Sequence, residues 1–180
     1  MSNVKPQLEQ RIEQLEAVQS LYALKARYAR LADQKYTSDY QRASPHRMLE
    51  VATLQAACFT DDAVWDGGEQ FGATLAGRER LIEWFNRSPW CFALHYYCSP
   101  EITVEGDRAS ATWRLWQVAL RDETKEAVLL AAVTSEQYQR QADGAWLCSR
   151  MRFDQVQMLP MDAGRFPLMT SFAASAGSLR

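Results

Sequence analysis

From Phe92 onward the chain reads as four long runs rich in β-branched and aromatic residues, broken by Glu105-Gly106-Asp107 and by Ala142-Asp143-Gly144. Acidic residues around a glycine between apolar runs are hairpin signals. The runs therefore predict strands over residues 92–105, 108–121, 125–141 and 145–158. Strands of this length exceed the ~5–6 residues usual in sheets, so the sheet must twist and curl to stay compact. A curled sheet has a concave side, and something must fill it. Because the helical patterns precede the strands, the expected class is α+β: a curved antiparallel sheet wrapped around N-terminal helices and enclosing an aromatic-lined pocket.

Residues 7–34 contain neither Gly nor Pro, and Leu8, Ile12, Leu15, Val18 and Tyr22 recur at three- and four-residue spacing. That spacing predicts a helix with this stripe turned inward. The polar stretch 35–46, with Ser38, Ser44 and Pro45, predicts a surface loop leading to a second helix over 47–59. Asp61-Asp62 reads as a turn, 63–66 as a short strand that Gly67-Gly68 turns back, and 78–86 as a helix that follows Gly77 and carries Leu81, Ile82 and Phe85 on its apolar side. Pro89 closes that unit. Residues 1–160 then form one domain, and the weakly periodic tail 161–180 is a flexible end, a flap over the pocket or a contact with a neighbouring subunit.

A chain of 180 residues is the size of one domain, and roughly 70% of its unfolded surface can be buried at that size. Its 20 basic residues nearly balance its 22 acidic ones. No basic run offers a footprint for nucleic acid or anionic membrane, so neither is an expected partner. The first turns are polar rather than signal-like and no apolar run approaches the ~20 residues of a membrane span, which points to the cytoplasm. Cys58, Cys91, Cys98 and Cys148 are widely spaced, without a C-x-x-C pair or a neighbouring His, and read as reduced core thiols rather than metal ligands.

Only two histidines are present. His46 follows Pro45 in the polar loop and reads as a solvated residue. His95 lies inside a strand between Leu94 and Tyr96, where it is either a satisfied core residue or a base. Asp33, at the end of the first helix, either caps the loop or meets His95, and in the second case it would fix the imidazole tautomer and raise its basicity. Tyr28, five residues earlier, is either a core aromatic or a donor to a leaving oxygen. Trp65 is the favoured pocket wall. Trp113 and Trp116 have opposite strand parity, so at most one of them faces a given cavity. Arg150 and Arg152 share strand parity with Trp146 and Asp154, and either steady a negative charge inside or lie on a solvated face; Arg114 has the same two readings. No nucleotide-binding, zinc-hydrolase or serine-hydrolase motif is present, leaving proton transfer without a cofactor.

The helix ending Tyr28 to Asp33, the stretch Phe59-Thr-Asp-Asp-Ala-Val-Trp65, the helix start Gly77-Arg-Glu, His95 with Pro100-Glu-Ile-Thr-Val-Glu-Gly-Asp107 behind it, and Ala142-Asp-Gly-Ala-Trp146 together resemble the nuclear transport factor 2-like superfamily, in its SnoaL-like branch. The pattern is similar to hexachlorocyclohexane dehydrochlorinase, scytalone dehydratase and bile acid 7α-dehydratase. The resemblance implies a cone-shaped α+β barrel, a cofactor-free lyase, a homo-oligomer that is commonly a trimer, and a small hydrophobic substrate. It makes His95 the base, Asp33 its partner, Tyr28 the group assisting the leaving atom, and Trp65 a pocket aromatic. The family's second acid or histidine would fall near Val118 or Leu120, and the dehydrochlorinase arginine near Met151, between Arg150 and Arg152. The implied reaction is β-elimination with loss of water, halide or a one-carbon aldehyde. An isomerase or cyclase, or the non-catalytic small subunit of a ring-hydroxylating dioxygenase, fits the same fold.

Overall fold

The computed structural model describes residues 4–72 and 74–161. Helix α1 runs over Val4–Asp33, α2 over Pro45–Ala56, α3 over Gly68–Phe71 and α4 over Arg78–Asn86. The strands are β1 Phe59–Asp66, β2 Leu75–Ala76, β3 Trp90–Glu105, β4 Arg108–Arg121, β5 Ala127–Arg140 and β6 Trp146–Met161. Local chemistry sets several boundaries. Ser44 caps α2, its hydroxyl accepting the Arg47 N–H at 3.3 Å, and Pro45 occupies the first turn, where its missing donor costs nothing. Gly106 closes the β3–β4 hairpin at φ 60°, a conformation that glycine adopts without a Cβ clash.

The six strands form one curled sheet in the order β2-β1-β6-β5-β4-β3. Neighbours are antiparallel except for β1 and β6, which run parallel, so the sheet is mixed and does not close. All four described helices precede the long strands β3–β6, and α1 packs against β3, the edge strand, as the α+β reading requires. Extra residues bend the long strands. β3 gains one between Cys98 and Glu101, where Ser99 adopts φ 46°, and β6 gains one opposite Gln137/Tyr138 and another opposite Val133/Thr134. Such bulges increase local twist and also reverse which face the following side chains occupy.

Four sequence expectations need correction. The Leu8, Ile12, Leu15, Tyr22 stripe is not buried, and Leu15 is 68% exposed. The face that packs is one residue out of phase, through Ala17, Leu21, Lys25, Tyr28 and Ala32, because only the C-terminal half of this long helix lies over the sheet. Asp61 and Asp62 lie within β1 rather than in a turn. There the β1–β6 register breaks, so both acids face solvent, and Asp61 holds Arg78 of α4 at 2.6 Å. Residues 35–44 form more than a surface connection, since Arg42 donates to the Trp90 carbonyl at 3.0 Å and Tyr36 shares a 2.6 Å hydrogen bond with Ser88. All four cysteines are free, but Cys98 is exposed. The proposed tail 161–180 lies, beyond Met161, outside the described residues.

The core holds Leu21, Val51, Phe59, Leu81, Trp113 and Leu130. Within it Lys25 pairs with Glu136, both nearly inaccessible. Glu136 also accepts hydrogen bonds from Thr134 at 2.7 Å and from Tyr138, whose oxygen in turn accepts the Trp113 Nε1–H at 2.9 Å. A buried pair of this kind holds only while both charges stay matched. Lys25→Met should therefore reduce unfolding free energy by about 3–5 kcal/mol, and Lys25→Met/Glu136→Gln should recover most of that loss. Urea denaturation of the two variants measures the difference, and equal losses would show that packing rather than charge matching dominates.

Candidate active site

Asp33 is the last residue of α1, and His95 lies sixty-two positions later on β3. Because β3 is a sheet edge, its outward N–H groups have no strand to receive them. Asp33 Oδ1 meets this need, accepting the His95 backbone N–H at 3.0 Å and lying 2.8 Å from His95 Nδ1. A carboxylate acceptor at that distance places the proton on Nδ1 and leaves the Nε2 lone pair free. Burial pushes the His95 pKa below its ordinary 6.5, and the Asp33 carboxylate opposes that shift only partly. The imidazole is thus neutral at neutral pH, with one nitrogen oriented and the other available.

His95 borders a cavity of about 260 Å³, close to the lower end of the ~300–1,000 Å³ common for small-molecule sites. The helices contribute Tyr28, Ala32 and Gln55, and the sheet adds Tyr97, Leu115 and Gln117. Trp65, Phe71, Trp84, Phe85 and Phe153 make an aromatic wall. Trp65 packs on Trp84, Phe71 and Phe153 with ring centroids 5.3, 6.4 and 5.5 Å away. Its indole also lies across Gly67, where a Cβ would come within 2.7 Å of the ring, so any other residue there would displace it. Toward solvent the cavity is bounded by Lys35, Tyr36 and the 87–90 segment.

Tyr28 borders the same cavity, with Phe59, Phe85 and Tyr97 around it edge-on. Burial raises its pKa, so the phenol remains protonated and can donate a hydrogen bond. Asp33, His95, Tyr28 and Trp65 are therefore brought together. Four other candidates are not. Trp113 faces inward but sits in the core beside Tyr22 and Tyr138, away from the cavity. Trp116 is 49% exposed on the convex face. Arg150 and Arg152 point outward, because the extra residue after Cys148 turns Met151 and Phe153 inward in their place. Parity counting from Trp146 fails at that bulge. Arg152 pairs with Asp154 at 3.1 Å, Arg114 bonds the Ser99 carbonyl at 3.0 Å on the outer face, and His46 is exposed in α2.

Sequence reasoning missed Lys35, Gln55 and Gln117. Gln117 is the direct cross-strand partner of His95. Since the His95 N–H goes to Asp33 and not to β4, this is the narrow, non-hydrogen-bonded kind of pair, in which side chains stand close. Its inward parity with Trp113 and Leu115 was visible in the sequence. Lys35 is buried beside the cavity, donates to the Phe85 carbonyl at 3.2 Å, and is held by burial at a pKa of about 8, with Asp33 resisting the fall. Gln55 Oε1, Trp65 Nε1 and Gln117 Nε2 are buried without a hydrogen-bond partner among the described residues.

The SnoaL-like domain model matches residues 49–152. No curated protein sequence matches the chain. Among solved structures, a type 2 hexachlorocyclohexane dehydrochlorinase is 19% identical with a TM-score of 0.70, covering 88% of this chain and 99% of its own. An NTF2-like protein with a cystatin-like fold from Novosphingobium aromaticivorans is 20% identical with a TM-score of 0.64, covering 98% and 97%. A protein assigned as a scytalone dehydratase from Novosphingobium aromaticivorans DSM 12444 is 12% identical with a TM-score of 0.65, covering 83% and 90%. At these identities the likeness is one of fold, the nuclear transport factor 2-like cone of helices inside a curled sheet. No described helix is long and apolar enough to cross a membrane. The match over residues 49–152, more than half of the chain, establishes that this protein belongs to the SnoaL-like domain family.

Proposed function

We propose that the protein is a cofactor-independent lyase that performs β-elimination on a small aromatic or alicyclic substrate, with His95 as general base. The observation that carries this reading is the 2.8 Å contact between Asp33 Oδ1 and His95 Nδ1 beside an aromatic cavity. In the proposed mechanism Nε2 removes a proton from substrate carbon, and Asp33 stabilises the imidazolium that forms. Tyr28 donates a hydrogen bond to the departing oxygen or halide. The electrons of the broken C–H bond form the new double bond as the leaving group departs, and the proton held by His95 is then released to it or to solvent. The elimination chemistry in the names of the dehydrochlorinase and dehydratase structures is compatible with this arrangement.

His95 acts as a base only when neutral, so kcat/KM should fall as pH drops through its pKa, at a value below 6.5. Asp33 raises that pKa, so Asp33→Asn should move the acid limb to still lower pH and reduce the plateau by about 10²–10⁴-fold. An unchanged limb in Asp33→Asn would sink the pairing. His95→Ala should still fold cooperatively, with a Tm lowered by the loss of the ring hydrogen bond to Asp33, yet lose turnover in an unbiased metabolite screen read by mass. Loss of water or hydrogen halide is the expected product change; loss of a one-carbon aldehyde would mean that Nε2 takes a hydroxyl proton and that a broken C–C bond, not a C–H bond, supplies the electrons of the new double bond. An isomer of unchanged mass would replace the lyase reading with isomerisation, and turnover by His95→Ala at the wild-type rate would eliminate the base assignment.

A further inference from the structure

Two lysines are buried among the described residues, and they are treated differently. Lys25 sits against Glu136 and has a matched charge. Lys35 is only 6% exposed, borders the cavity, and makes no ion pair among the described residues; its one protein acceptor is the Phe85 carbonyl at 3.2 Å. An ammonium has three donors, and burying it without a counter-charge is costly. The nearby Asp33 has one oxygen committed twice to His95. Among the described residues no Asp or Glu lines the cavity, whereas Lys35 and Arg87 both do.

The neutral polar groups lean the same way. Trp65 Nε1, in a residue that is 4% exposed, is a fixed donor without an acceptor among the described residues, and the side-chain amides of Gln55 and Gln117, each with one orphaned atom, can turn either a donor or an acceptor toward a ligand. A hydrocarbon or halocarbon would leave the indole donor and the ammonium unmatched. An anionic oxygen group would satisfy the ammonium and could take the indole donor.

We infer that the ligand of this cavity is a small organic anion whose carboxylate or phenolate oxygen pairs with Lys35, its apolar body lying against Trp65, Phe85 and Phe153. The inference rests on the proposed use of this cavity as a substrate site, and not on which bond is broken there. Lys35 is then a specificity-determining residue, selecting charged substrates over neutral ones of equal shape. Its pKa near 8 keeps it predominantly protonated at neutral pH despite burial.

Calorimetric titration of the full chain at pH 7 with 2-naphthoate, its neutral isostere 2-naphthamide, and 2-naphthol tests this. The wild type should bind 2-naphthoate about tenfold to hundredfold more tightly than the amide, as a charge-assisted hydrogen bond in a buried site requires. Lys35→Met should abolish that preference while the free protein still folds, since the loss is one hydrogen bond to the Phe85 carbonyl and Asp33 keeps both of its bonds to His95. Lys35→Gln provides the same reading if the Met variant does not fold. Binding of 2-naphthol as its anion, seen as the red-shifted ground-state absorption of naphtholate, more tightly than 2-naphthoate would identify phenolate as the preferred group, and the reverse order would identify carboxylate. Equal affinity for 2-naphthoate and 2-naphthamide, or a preference that survives both substitutions, overturns the inference while leaving the elimination reading intact. Failure of all three probes to bind the wild type would overturn the use of this cavity as a substrate site for such bodies.

Discussion

One carboxylate oxygen joins the two halves of the architecture. Asp33 Oδ1 receives both the backbone N–H and the ring N–H of His95, so it satisfies an edge-strand donor, orients an imidazole and fastens the end of α1 to β3. Hydrogen bonds to a charged acceptor typically contribute about 1.5–3 kcal/mol each. Against this, a carboxylate on the last residue of a helix opposes the negative end of the macrodipole. Nothing in helix formation alone would select an acid there, and its two His95 contacts account for its presence.

The interior divides into two polar regions separated by tyrosines. On one side Lys25, Glu136, Thr134 and Tyr138 form a closed set in which the charges and hydroxyls have partners. On the other side His95, Gln117, Lys35 and Gln55 surround open volume and retain unused hydrogen-bonding capacity. Tyr28 and Tyr97 belong to both, since Lys25 Nζ lies 4.9 and 3.6 Å from their ring centroids and the same rings border the cavity. The closed region gives rigidity to the wall against which the open region would act. This contrast also explains why burial alone does not identify a functional residue: Lys25 and Lys35 are both buried, and only the completeness of their partners distinguishes them.

Much of the architecture was legible because the four long strands and the Gly-centred hairpins are written in local chemistry. Asp33, His95, Tyr28 and Trp65 could be assembled from residue type and a family resemblance. What escaped depended on geometry that spacing does not encode. The apolar stripe from Leu8 to Tyr22 has sound helical periodicity, yet the sheet lies under the next residue round the helix. Arg150 and Arg152 were grouped with Trp146 on the assumption of unbroken alternation, which an unpaired residue in β6 defeats. Lys35 was hidden in a polar run that reads as solvent-exposed and is instead held down by contacts of Tyr36 and Arg42 with residues 88–90. The parallel β1–β6 pairing had no local signature, since it joins segments more than eighty positions apart.

The irregularities in β6 act as frame markers for everything downstream of them. Deleting Ser149, the unpaired residue between Cys148 and Arg150, would restore plain alternation with Cys148, Met151 and Phe153 still inward, whereas ironing the bulge out with Ser149 kept would slide β6 by one residue and bring Arg150 and Arg152 to the concave side. The placement of one unpaired residue, and not the length of the strand, thus decides whether this stretch of wall is apolar or cationic, which gives the scaffold a route to new ligand chemistry by register slip alone.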